Sequence, residues 1–117
     1  MALTKANGTI TQLTAAGNST SMSFSDAYAG AISIKHVNGT GTITAGAEVV
    51  VQISHDGTNW ETDTTFTFGT TASETEFRTY TPPADGLPIH SVRLVYTVPV
   101  GSSGHTLDAR FSKTTAL

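Results

Sequence analysis

The stretch VVVQISHDGTNWET, residues 49–62, holds the pattern on which the fold turns. Val49, Val51 and Ile53 fall on one side of an extended chain and Val50, Gln52 and Ser54 on the other, the two-residue period of a half-buried strand. The run stops at His55, where Asp56-Gly57 offers the positive φ angles of a tight turn. Asn59 can bond back across the loop, and Trp60, the one tryptophan of the chain, can lay its ring over the hairpin end. A strand, a tight turn and a second extended segment make a β-hairpin.

The same alternation recurs outward from this hairpin. Met22 and Phe24 alternate with serines, Ile32 and Ile34 with Ser33 and Lys35, and Phe66 and Phe68 with Thr65 and Thr67. Val92, Leu94, Tyr96 and Val98 oppose Ser91, Arg93, Val95 and Thr97, while Leu107, Ala109 and Phe111 oppose Asp108, Arg110 and Ser112. Turn signals lie between the runs: NGTG at 38–41, DGTN at 56–59, PPADGLP at 82–88 and GSSG at 101–104. Pro82, Pro83, Pro88 and Pro99 all fall at strand ends or between strands, where a missing N–H costs nothing. No segment keeps a helical period for three turns. About seven to nine short strands at this spacing predict an all-β chain, an antiparallel β-sandwich or jelly roll with no substantial helix. Residues 21–117 read as one sandwich domain. Residues 1–20 are small and polar, with Leu3, Ile10 and Leu13 as isolated apolar points, and read as an arm or an edge strand.

Composition agrees with that reading. Of 117 residues 38% are hydrophobic and 13% charged, against about 25% charged in an average globular protein. Threonine, serine and glycine supply the polarity, and threonine and valine favour pleated, half-buried surface. Net charge is -3, and the six Lys and Arg are scattered, whereas a nucleic-acid interface needs a clustered basic face to neutralise phosphates. There is no cysteine, which rules out disulfides, thiolate metal sites and a Cys nucleophile. No apolar run has the length of a secretory signal or of the roughly 20 residues of a membrane span. The expectation is a soluble protein synthesised in the cytoplasm, with no nucleic-acid and no membrane partner.

Candidate sites give way to plainer readings. Asp56, Asn59, Glu61 and Asp63 invite a calcium or sugar site, but their offsets match no calcium loop, and Trp60 sits among them. Asp56, Gly57, Asn59 and Trp60 are better read as a structural turn. His36, His55, His90 and His105 lack the i, i+2 or i, i+4 spacing of metal-binding imidazoles and read as isolated surface or strand-end residues. Ser, His and Asp all occur, but without the G-x-S-x-G elbow of a serine hydrolase. NGTGTITAG lacks the lysine and helix of a phosphate loop. Glu74 and Glu76 occupy alternating positions and share a strand face, most simply the solvated one. Asn7, Asn18 and Asn38 fit the glycosylation sequon yet read as turn residues. The sequence therefore predicts no catalytic residues, no metal and no cofactor, and the chain is not expected to be an enzyme.

Three stretches carry a resemblance: GAISIKHVNGTGT, VVVQISHDGTNWE and HSVRLVYTVPVGSSGHTLDARFSKTTAL. Together they span roughly residues 30–117, and they resemble small β-sandwich virion proteins of tailed bacteriophages, above all capsid decoration (cement, head-stabilising) proteins. The resemblance implies a structural protein on the capsid surface that binds the major capsid protein of an assembled head and bridges its subunits. It also implies a homo-oligomer, with a trimer favoured, and an amino-terminal arm that pairs edge-on with the shell. On that reading Leu3, Ile10 and Leu13 fill partner pockets while main-chain bonds supply affinity. Two alternatives stand beside it. One is a carbohydrate-binding sandwich module using Trp60, since S-x-D-G-x-x-W also occurs in such modules. The other is a tail, neck or fibre subunit.

Overall fold

The computed structural model describes residues 3–24, 27–81 and 91–116. Among them the strands are β1 (Leu3–Thr9), β2 (Gly17–Asn18), β3 (Met22–Ser23), β4 (Ala27–Val37), β5 (Glu48–Ser54), β6 (Glu61–Thr67), β7 (Thr75–Tyr80), β8 (Ser91–Thr97) and β9 (Thr106–Ala116). No described residue is helical. The strands form two sheets, one in the order β1-β9-β4-β7 and one in the order β2-β8-β5-β6, with β3 also on β8. Every pairing is antiparallel. After β4 the chain crosses between sheets at each step except the β5–β6 hairpin, and the first strand lies against the last, which is the jelly-roll form of a β-sandwich.

The alternation seen in the sequence fills the space between the sheets. Ile32 and Ile34 of β4 and Leu107 of β9 come from one sheet, Val49 and Val51 of β5 and Val92 and Leu94 of β8 from the other, and all are fully buried. Because the side-chain period is two, a one-residue slip of any of these strands would turn its whole apolar set to solvent. Register is thereby fixed along β4 and β9, which pair from Ala27/Thr115 to Val37/Thr106.

The broken edge formed by β2 and β3 is bridged by Ser19. Its amide donates to the Leu94 carbonyl at 2.8 Å and its hydroxyl accepts the Leu94 N–H at 2.9 Å. The hydroxyl thus takes the place of a backbone carbonyl on β8. At the far end, the 38–41 and 101–104 loops lie against each other through the Thr40–Ser103 bridge. A Cβ at Gly39 would collide with the Ser103 carbonyl, so only glycine fits there. Asn38 is buried, and its Nδ2 donates to the carbonyls of Gly69 (3.1 Å) and Thr71 (2.8 Å).

One expectation is corrected here. Asn7 lies within β1 and Asn18 within β2, so neither is a turn residue. Val50 and Val95 are direct partners on the outer face of the second sheet, both only half-buried. The turn at 82–88 and His90 lie outside the described residues.

Leu94 has no exposed surface, and truncating such a side chain removes transfer free energy and leaves a cavity. Leu94→Ala should cost about 2–5 kcal/mol, read as a lower urea midpoint, whereas Val100→Ala, at a 57% exposed site, should change stability by less than about 0.5 kcal/mol.

Candidate functional site

The hairpin loop at the end of β5 is locked by one carboxylate. Asp56 Oδ1 accepts the Ser54 hydroxyl (3.0 Å) and the amides of Thr58 and Asn59 (both 2.8 Å), and Oδ2 accepts Asn59 Nδ2 at 2.6 Å. Gly57, at φ 81°, supplies the left-handed residue of the turn, and its amide donates to Ser54 Oγ. These donors, the Asn59 amide foremost and the Thr58 amide next, hold the Asp56 carboxyl well below the usual carboxylate range. The carboxylate oxygens are thus already engaged inside the loop.

The other members of the imagined ligand set point elsewhere. Glu61 pairs with His55 at 3.2 Å, and Asp63 accepts the Tyr80 hydroxyl at 2.8 Å. Among the described residues no three His, Asp or Glu side chains could hold a metal ion together. Trp60 is half-buried on the outer face of the second sheet, with the Arg93 guanidinium 4.4 Å from its ring centroid. Arg93 is in turn oriented by its Nε donating to Gln52 Oε1 at 2.8 Å. A cation already covers one face of the ring on which a sugar would stack.

The histidine reading needs correction. His36 is 1% exposed, in the core, because the inward series of β4 runs Ile32, Ile34, His36. Its Nε2 lies 2.7 Å from the Tyr96 hydroxyl, and its ring packs against Phe68 and Tyr96 at 5.0 and 5.6 Å between centroids. His105 meets the edge of Tyr96 at 6.1 Å, with both ring nitrogens buried and without a partner among the described residues. The signal was present in the alternation of β4, which continues two residues past Ile34 and was cut short at Lys35.

Burial lowers the His36 pKa below its ordinary value; the neighbouring His105 adds to this and Glu76 opposes it. Burial also pushes the Tyr96 hydroxyl up to about 12. An imidazole whose folded pKa is depressed contributes stability that is present above its unfolded value and is lost as pH falls through the folded one.

Glu76 is also misread by sequence. Its carboxylate is on the inner side of β7, accepting the Gly69 amide at 2.9 Å, while Phe77 is the outward residue, 63% exposed. Arg78 sits 3.6 Å from Glu76 and donates to the Thr67 carbonyl at 3.0 Å. With the Tyr80–Asp63 bond, this laces the edge strands β6 and β7 together on one side of the sandwich. The opposite side differs. β1 pairs with β9 along its whole length and has no second neighbour among the described residues. Ile10 is 7% exposed within the core and Leu13 packs against it, bridging to Leu107. Both side chains therefore fill this domain's own interior, because β1 docks on β9 and carries them in. The Leu3 side chain lies outside the described residues.

No family model and no curated protein matches the chain. Among solved structures, a chain described under "Bacillus endospore appendages form a novel family of disulfide-linked pili" is 12% identical, with 98% of this chain and 88% of that one covered at a TM-score of 0.49.

The buried imidazole gives a checkable pH dependence. Stability should fall as pH drops below about 6.5, the ordinary histidine value, and His36→Gln, which can still bond Tyr96 but cannot charge, should flatten that fall. Urea midpoints at neutral and mildly acidic pH for both proteins test this; equal slopes would place the acid sensitivity elsewhere.

Proposed function

We propose that the chain is a structural virion protein that decorates the outside of an assembled phage capsid, and that it attaches by strand addition at the open edge of β1. The observation that carries this reading is the contrast between the two sides of the sandwich. β6 and β7 are tied to each other by side chains, whereas β1 offers a seven-residue edge with one neighbour among the described residues. The Ile10 amide bonds the Ala109 carbonyl at 3.1 Å. In an antiparallel ladder the amides then alternate, so those of Asn7 and Thr9 point away from β9 into the open edge.

A strand added there would gain main-chain bonds to those groups, which is how extended segments commonly dock on sheets. This shifts the mechanism away from pockets filled by Leu3, Ile10 and Leu13 and onto the backbone of β1. The three sequence stretches that resemble decoration proteins support the same reading. The partner is the major capsid protein, the location the capsid surface, and many copies on one shell would each add a modest clamp between neighbouring subunits. The carbohydrate-binding alternative loses ground to the Arg93 guanidinium over Trp60.

Removing the whole amino-terminal segment would strip Ile10 from the core, so a point change is the cleaner test. Proline lacks an N–H and is tolerated on an edge strand where that N–H faces outward. Asn7→Pro or Thr9→Pro should leave the β circular-dichroism spectrum intact and lower attachment to purified heads about tenfold or more. Undiminished attachment by a folded variant overturns edge pairing. Trp60→Ala should lower thermal stability and leave attachment unchanged.

A further inference from the structure

The outer face of the β1-β9-β4-β7 sheet is built in registered rows. Thr79, Ser33, Arg110 and Thr9 stand side by side, and Phe77, Lys35 and Asp108 form the next row. Small Ser33 beside the long Arg110 and Lys35 leaves a groove, lined by Thr9, Ser33, Lys35, Phe77, Asp108 and Arg110. Asp108 is held by Gln12 Nε2, at 3.1 Å to each carboxylate oxygen. Lys35 and Arg110 are exposed and enter no hydrogen bond or ion pair among the described residues. With Lys5 further along the same face, three of the six basic residues of the chain lie on it, beside one carboxylate among the described residues. Phe77, 63% exposed, adds an apolar anchor at the groove's rim. Aromatic and arginine side chains together are the usual energetic centre of a protein–protein contact.

The opposite sheet carries the complementary charge. Asp56 and Glu61 lie at the tip end of the β5–β6 hairpin, whereas Glu48 lies at its far end and Asp63 accepts the Tyr80 hydroxyl; among the described residues Arg93 is the one Lys or Arg on that sheet's outer face. The hairpin tip, residues 55–59, is exposed throughout and stiffened by the four bonds to Asp56. Asp56 in the tip and exposed Glu61 beside it give this end of the hairpin the negative charge that complements the cationic groove. The two belong to different sheets and the groove is on an outer surface, so a tip cannot enter the groove of its own chain.

We propose that this groove is a self-association surface whose occupant is the acidic β5–β6 hairpin tip of a second copy, docked between Lys35, Arg110 and Phe77. The contact joins different patches on the two partners, so repetition closes a ring or extends a filament. The inference deepens the virion reading by assigning its subunit contact, and it uses a different surface from the β1 edge.

Sedimentation of the isolated protein, without heads, tests it apart from shell attachment. Association should be present at low salt and weaken about tenfold or more at about 0.5 M salt, since exposed charges are screened. The double variant Lys35→Glu with Arg110→Glu should be monomeric, as should Thr58→Lys with Glu61→Lys, which spares Asp56. Mixing the two should restore association, because each supplies the surface complementary to the other. A wild-type protein that stays monomeric at low salt and high concentration overturns the proposal, as does association untouched by both variants. A monomeric wild type whose shell attachment is lost with Lys35→Glu and Arg110→Glu would hand the groove to a capsid partner and likewise overturn it. Failure of Asn7→Pro, which lies outside the groove lining, to affect attachment bears only on the β1 edge.

Discussion

The pairing of β9 with two partners at once, β1 on one side and β4 on the other, is the constraint from which the rest follows. It sets Leu107 and Ala109 inward beside Ile32 and Ile34, and it carries Ile10 into the same interior. It also makes β1, not β9, the strand at the sheet's margin. Both partners lie in the first third of the chain and β9 at its other end, so the ladder closes only after long loops have been ordered, at an entropic cost that local contacts do not offset. The apolar faces must therefore hold the ladder once formed, and seven fully buried aliphatic side chains drawn from both sheets do so. Short turns at 38–41 and 56–59 fix local direction; they do not choose partners.

What could be read from the sequence follows the same division. Strands β4, β5, β8 and β9 declare themselves because every second residue is aliphatic or aromatic and the buried face has no other way to be filled. β1 does not, for a packing reason. Its inward positions are Ala6, Gly8 and Ile10, and the Phe111 ring lies where a Cβ of Gly8 would be. A large side chain on β9 has taken the volume, so the facing strand reads as polar and featureless. His36 and Glu76 were missed because a titratable residue was assigned to solvent by type. Position in the alternation was the better guide: one ends the run Ile32-Ile34-His36, the other begins Glu76-Arg78-Tyr80. The strand order, which depends on residues far apart in sequence, had no local signal at all. The turn at Asp56 was legible because its chemistry lies within four residues.

A buried imidazole bonded to a buried phenol costs solvation that an aliphatic pair would not. It also discriminates. His36 on β4 and Tyr96 on β8 belong to different sheets, and their 2.7 Å contact exists only when both strands hold their register and the sheets face each other correctly. An alternative packing of the same apolar residues would leave both polar groups unbonded, at roughly 1–3 kcal/mol for each. In a chain rich in interchangeable Thr, Val and Ile positions, that penalty removes competitors more than it strengthens the native state. The same pair ties the interior to proton concentration, since charging His36 would break the apolar setting that Phe68 and Tyr96 provide.

Low charge density sharpens the effect of the charges that remain. With 13% of residues charged, a field at any surface is set by a handful of side chains rather than averaged over many of both signs. Among the described residues, three cations against one engaged carboxylate on the outer face of the first sheet, and Asp56 and Glu61 at the hairpin end of the second, give the sandwich two unlike surfaces. At physiological salt the screening length is about 8 Å, so each face presents its own sign to whatever approaches within contact range. Edge and face then act differently. The β1 edge offers backbone groups, which any extended segment can meet, while the outer faces offer charge and shape, which select one orientation. The jelly roll supplies the two on separate sides of one small core.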